Sequence, residues 1–360
     1  MVLFRPAFIA LSAASAVVAD SLTPASLAAQ FTLTTSTTLP FPTATASSDD
    51  TQSLLSSQWG LAKGRLQACL ALSSPQHSDI DPEWRERPCA PRARLARCFK
   101  VLFLETDPLP KFNYTSAVTY PAGSFSGNTG GAQFINLWNN TGSSAFQSML
   151  VSYEVAFDED FDWVMGGKLP GLRGGTSQIG CSGGNESTGL DCFSTRIMWR
   201  PNGAGEAYAY IPTPNKLCSD KNVICNSDFG ISLSRGSFTF LSGQWNHIAL
   251  LVQLNNPVDV ANGNVEVYFN NVQAFAQQNL QIRASDSVTA GGLYFSTFFG
   301  GSDSSWATPD TTHTYFRNFE LYGSSNPSTL SGSKVNSGTL LSPALLPTIL
   351  TALFLSISAL

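Results

Sequence analysis

Short runs of aliphatic, aromatic and β-branched residues recur along the chain at 118–120, 132–137, 149–157, 193–199, 207–211, 236–240, 247–254, 265–269, 292–299 and 314–322. Clusters of Gly, Pro, Asn and Ser separate them, and no helical run of apolar residues intervenes. Residues 53–66, which include Trp59, read as a first strand. This pattern predicts an all-β domain, most simply a β-jelly roll of two packed antiparallel sheets.

Side chains alternate faces along a strand, so Ser194 and Arg196 project to one side of run 193–199 while Phe193, Thr195 and Ile197 project to the other. Pro201-Asn202-Gly203 predicts a hairpin turn into the next run. If Arg200 pairs with Ala204, then Arg196 lies opposite Tyr208 and Ser194 opposite Tyr210. One cation, one hydroxyl and two phenols would share a patch of sheet, a candidate catalytic surface together with Lys168. Parity alone does not place Lys168, which sits in Gly166-Gly167-Lys168-Leu169-Pro170-Gly171-Leu172.

Composition narrows the function. Of the 360 residues only 12% are charged, with a net charge of -5, which gives no basic footprint for nucleic acid and no basic membrane surface. Arg5 followed by the apolar run 7–18 and Val17-Val18-Ala19 predicts a signal peptide over 1–19. Residues 20–52, rich in Ser, Thr, Ala and Pro, read as a linker. The jelly roll is expected over 53–323, and 324–360 as a spacer with a GPI-anchor signal or a membrane tail. Segment 67–100 breaks the pattern, with Arg85, Arg87, Arg92, Arg94, Arg97, three cysteines and several prolines. It reads as a basic recognition loop, an insertion, or an intron or frame error; the abrupt change on both sides favours the last.

In an oxidising compartment Cys181 and Cys192, and Cys218 and Cys225, are the closest disulfide pairings in sequence. No histidine lies near them to suggest a metal site. Sequons begin at Asn113, Asn139 and Asn185. Of the three histidines, His77 lies in the anomalous segment and His247 opens an apolar strand, a structural position. There is no Gly-x-Ser-x-Gly elbow and no Cys/His dyad, which weakens a hydrolase reading. Asp158, Glu159, Asp160 and Asp162 could bind Ca²⁺ or act as paired carboxylates, but adjacent acids in a turn are more often a solvated loop.

Lys168, Ser194, Arg196, Tyr208 and Tyr210 suit removal of a proton beside a carboxylate. Arginine grips a carboxylate with two parallel hydrogen bonds. A phenol, ordinarily of pKa about 10, serves as base where adjacent cations favour the phenolate, and then as acid. The bland alternative makes the tyrosines surface aromatics that stack on sugars.

The Gly-Gly-Lys-Leu-Pro-Gly-Leu stretch, the Ser-x-Arg strand and the Tyr-x-Tyr strand resemble the polysaccharide lyase family 14 domain of alginate and glucuronan lyases. Ser234-Arg235-Gly236-Ser237-Phe238, Gln244-Trp245-Asn246-His247, Val265-Glu266-Val267-Tyr268 and 295–301 look similar too, so the resemblance spans about 116–323. The cysteine-flanked loop after Lys168 is similar to the fungal version, and 67–100 departs from a family that has more sheet there. The resemblance implies a jelly roll that cleaves a uronic-acid polysaccharide by β-elimination, without cofactor or metal, with Lys168, Ser194, Arg196, Tyr208 and Tyr210 as its catalytic set. The expected partner is an anionic polysaccharide at the cell surface or wall, not nucleic acid. The rival expectation is a non-catalytic carbohydrate-binding or wall-structural jelly roll.

Overall fold

A computed structural model describes residues 22–40, 53–55, 57–59, 101–104, 115–126, 130–138, 144–176, 181–183, 187–214, 216–226 and 229–335. The expected signal peptide, segment 67–100, the sequon asparagines and the apolar C-terminal run lie outside these residues. Among the described residues no helix is long and apolar enough to cross a membrane.

The first half supplies strands β1 (Thr35–Thr38), β2 (Val101–Leu104), β3 (Thr115–Tyr120), β4 (Ala132–Ile135), β5 (Ser148–Phe157), β6 (Gly167–Gly175), β7 (Cys192–Trp199) and β8 (Ala204–Tyr210). Then come β9 (Val223–Ile224), β10 (Ile231–Thr239), β11 (Asn246–Gln253), β12 (Val260–Ala261), β13 (Gly263–Phe269) and β14 (Val272–Leu280). The last three are β15 (Ala290–Phe299), β16 (Thr312–Ser324) and β17 (Ser333–Lys334). One sheet runs β4-β15-β6-β7-β8-β10-β9; the other runs β14-β13-β11-β5-β16-β3-β2, with β1 added along β16. Strands β12 and β17 form a separate ribbon. The predicted two-sheet jelly roll is therefore the observed architecture.

Alternation explains how the sheets close on each other. From β5, Met149, Val151, Tyr153, Val155 and Phe157 enter the central core, where they meet Leu169, Leu172, Phe193, Ile197 and Trp199 of the facing sheet. Phe134 stacks on Phe295 at 4.5 Å and Phe161 on Phe299 at 5.4 Å. Each fully buried side chain of this size contributes about 1.5–3 kcal/mol. The Tyr153 hydroxyl, inside the core, donates to the Pro170 carbonyl at 3.0 Å and so ties the two sheets together.

Residues 22–40 correct the linker reading. Thr23 caps helix α1 (Pro24–Gln30), accepting from Ser26 N at 3.1 Å, and Pro24 occupies the first turn. Leu27, Ala28 and Leu33 cover Leu150, Ala249, Leu251 and Tyr268 on the outer face of the eight-stranded sheet. A few leucines in a polar stretch are enough once a waiting apolar face receives them. Residues 53–55 take helical backbone rather than the expected strand, though Leu55 and Trp59 are buried in the core. Strand β10 begins five residues before its predicted start at 236. Strands β1, β2, β6, β9, β12, β14 and β17 carried no strand expectation.

Candidate active site

The outer face of the seven-stranded sheet carries the polar side chains. The hairpin has the expected register, Ser194 opposite Tyr210 and Arg196 opposite Tyr208. Arg200 N donates to the Ala204 carbonyl at 2.7 Å and closes the turn, within which Asn202 and Gly203 have φ of 60° and 75°.

Lys168 reaches the same face through an irregularity in β6. Leu169 pairs with Ile197 and Gly171 with Arg196, so Pro170 is an extra residue in the ladder. A proline has no N–H to lose there. The bulge lets Leu169 and Leu172 both enter the core while Lys168 and Arg173 both point outward. Gly171 is required by close approach: a Cβ there would stand 2.1 Å from the Thr195 carbonyl oxygen and 2.5 Å from Arg196 Cα.

Lys168, Arg196, Tyr208 and Tyr210 converge. Lys168 Nζ lies 3.5 Å from the Tyr208 ring centre and 2.7 Å from Met198 Sδ. The Arg196 guanidinium carbon is 4.7 Å from the Tyr294 ring centre and 5.7 Å from that of Tyr210. Arg196 Nη1 donates to Ser296 Oγ at 3.0 Å, and Ser296 donates onward to Gln133 at 3.3 Å. Arg196 is 2% exposed, and its Nε has no hydrogen-bond partner among the described residues. Arg200 and Arg317 each hold a carboxylate. Arg196 has no acidic partner among the described residues, and its Nε is a buried donor left unsatisfied.

Ser194 is placed differently from the rest. Its hydroxyl donates to the Cys181 carbonyl at 2.5 Å, and it is fully buried. The next two residues of the same loop reach further site residues: the Ser182 hydroxyl accepts from Tyr294 at 3.1 Å, and Gly183 N donates to the Tyr210 hydroxyl at 3.2 Å. The expected Cys181–Cys192 and Cys218–Cys225 disulfides are both present. Cys181, Asp191 and Cys192 come close enough to hold a metal ion, but the disulfide consumes both thiolates.

Charge on this face is uneven. Burial first, then the Arg196 and Arg200 charges, hold the Lys168 amine well below the usual lysine range, with Glu206 opposing them. Burial, then the neighbouring Tyr210, pushes the Tyr208 phenol above its ordinary range despite Arg200 and Arg196. The sequence reading let nearby cations favour a phenolate; in the structure burial outweighs them at Tyr208.

Other candidates fall elsewhere. Asp158 accepts from Thr312, from Tyr315 and from both the backbone and the ring of His313, while Glu159, Asp160 and Asp162 are exposed. Burial works against the Asp158 charge, yet these hydrogen bonds and His313 hold it below the usual carboxylate range. His247 meets Ser152 Oγ at 2.7 Å on the neighbouring strand of the eight-stranded sheet, away from this face. Sequence reasoning missed Glu206, Tyr294, Ser296 and Gln133. Glu206 shares the parity of Tyr208, a signal that was available. Tyr294, Ser296 and Gln133 come from strands remote in sequence.

One face of this antiparallel jelly roll thus gathers an arginine without an acidic partner among the described residues, a buried amine and two phenols. Residues 111–319 match the family described as Polysaccharide lyase 14. The chain belongs to this family, and it is a polysaccharide lyase. The marine PL-14 alginate lyase from Aplysia kurodai is 35% identical, aligned over 61% of this chain and 87% of its own with a TM-score of 0.55. Alginate lyase vAL-1 from Chlorella virus is 21% identical, over 62% and 90%, with a TM-score of 0.49. The endo-β-1,4-glucuronan lyase from Trichoderma reesei is 12% identical, over 62% and 87%, with a TM-score of 0.40. No curated protein matches the chain.

Proposed function

We propose that this lyase cleaves a uronic-acid polymer, glucuronan-like or alginate-like, by β-elimination. The carrying observation is Arg196: a buried guanidinium without an acidic partner among the described residues, fixed at Nη1 by Ser296 and unsatisfied at Nε. A uronate C6 carboxylate matches that guanidinium in charge and shape. Binding it also neutralises the charge that builds on the carboxylate as the C5 proton leaves.

The two perturbed groups divide the proton transfers between them. Lys168, disposed to be neutral, takes the C5 proton on Nζ. The C5 electron pair forms the C4=C5 double bond, the C4–O4 bond breaks, and O4 takes the Tyr208 phenolic proton. Tyr210, held by Gly183 N, orients the sugar beside it. Ser194 acts through the Cys181 loop that its hydroxyl anchors.

The two disulfides support an oxidising compartment. With the apolar segments at both ends of the sequence, they favour a secreted protein held at the cell surface or wall by a GPI anchor.

The test is incubation of the purified protein with glucuronan and with alginates while absorbance of the unsaturated uronate is followed. Growth of that band, abolished in Arg196→Ala, is the expected result. If no polyuronate gives the band, and Arg196→Ala binds polymer as well as the parent does, the reading is wrong.

A further inference from the structure

The Ser234-Arg235-Gly236-Ser237-Phe238 stretch has no part in the chemistry above. Strand β10 pairs with β8 on both sides of it, Leu233 opposite Ala207 and Phe238 opposite Gly205, so residues 234–237 bulge out opposite the single residue Glu206. The bulge turns at Ser234, with φ 50°, and at Gly236, with φ 81°. A positive φ suits glycine. The turn folds Arg235 back over the sheet, where its Nε lies 2.6 Å from Glu206 Oε2 and 3.3 Å from Ser232 Oγ.

Glu206 is fully buried and is also held by Arg200 at 2.6 Å and by Ser232 at 2.5 Å. Two cations against one anion leave this cluster positive. Arg235 is fixed through Nε, its side chain is 39% exposed, and its terminal nitrogens donate to none of the described residues.

The register relates this guanidinium to the site. Arg196 is paired with Tyr208 and Tyr208 with Ser232, one row crossing β7, β8 and β10. Neighbouring strands lie about 4.8 Å apart, so Arg196 and Ser232 are separated by about 10 Å across the row. That is the reach of two pyranose residues in an extended 1,4-linked chain. In such a chain successive residues turn their carboxylates to opposite sides, and alternate ones face the same way.

We infer that Arg235 is a second carboxylate anchor: a polyuronate laid across β7, β8 and β10 sets one C6 carboxylate on Arg196 and the carboxylate two residues along on Arg235. The inference rests on the polyuronate reading of the site. Glu206 holds the anchor in place, and the bulge aims it.

The experiment is calorimetric titration of the Lys168→Ala protein, which cannot turn substrate over, with saturated glucuronate and mannuronate oligomers from disaccharide to hexasaccharide. The titration is repeated with Arg235→Ala, and with Arg235→Gln, which keeps a hydrogen bond to Glu206 without the charge. A step of about tenfold in affinity between disaccharide and trisaccharide, lost in both Arg235 variants while disaccharide binding holds, is expected. Equal loss at every length means that Arg235 merely props Glu206, and no loss at any length removes it from binding; either overturns the anchor. Oligomers that show the step but are not eliminated by the parent protein sink the proposed β-elimination of these polymers and leave the anchor standing. Oligouronates that do not bind at all sink both.

Discussion

Lys168 Nζ rests 3.5 Å above the centre of the Tyr208 ring, so the candidate base and the candidate acid share one buried contact. Attraction to the ring favours an ammonium, while burial and the charges of Arg196, Arg200 and Arg235 oppose it, and the outcome is an amine held well below 10.5. The neutral amine is the active form of a base. Activity therefore persists far below the ordinary lysine range and is lost as pH falls through the lowered pKa. Glu206 is the neighbour that favours the ammonium, so Glu206→Gln moves the acidic limb of the kcat/KM profile to lower pH. A limb that moves to higher pH contradicts the assignment of Lys168 as base.

Burying an amine costs stability, and the cost has a pH signature. The unfolded chain binds the Lys168 proton up to about 10.5 and the folded chain releases it earlier, so stability rises with pH between the two values. Lys168→Met removes this slope, raises stability by about 1 kcal/mol and abolishes turnover. Thermal melts across a pH series measure it; about 2 °C is the expected gain, greatest at pH below the lowered pKa and fading as pH rises towards the ordinary lysine range.

Arg196→Lys keeps the charge and loses the planar fork. A fall in kcat/KM of about 10²-fold or more is expected, measured as the rate of unsaturated uronate formation. Near-parental activity would mean that a point charge suffices and that the unsatisfied Nε has no role.

Three consecutive residues of the 181–183 loop bond to Ser194, Tyr294 and Tyr210, and the Cys181–Cys192 disulfide holds the loop down. The double substitution Cys181→Ser with Cys192→Ser costs about 2–4 kcal/mol of stability. It also lowers kcat at temperatures where the protein remains folded, because Tyr210 loses its backbone donor. Folded variant protein with unchanged kcat would separate the loop from the chemistry.

Gly171→Ala drives a methyl group into the Thr195 carbonyl and Arg196 Cα. Strands β6 and β7 separate where Lys168 and Arg196 are brought together. Destabilisation of about 1–3 kcal/mol, with loss of activity in the protein that remains folded, is expected from melts and initial rates.

Much of this site was legible in the chain. Pro201-Asn202-Gly203 fixed a tight hairpin, and strict alternation then put Ser194, Arg196, Tyr208 and Tyr210 on one face in the register observed. Lys168 was beyond parity because the Pro170 bulge resets it, and only the family resemblance reached that lysine. Gln133 and Ser296, which set the edge that Arg196 presents, lie on β4 and β15, and no local pattern links strands so distant in sequence. Strand β14 hid because its side chains are mostly exposed or half-buried. The stretch 22–40 was read by composition, although Thr23, Pro24 and the spaced leucines together spelled a capped helix.

Helix α1 packs on the outer face of the eight-stranded sheet, and the site lies on the outer face of the other. A support coupled to the chain just ahead of residue 22 therefore meets the back of the molecule. Protein immobilised this way presents its candidate site outward to polymer too large to enter a pore, so a bead or sensor chip loaded through that end keeps that face open.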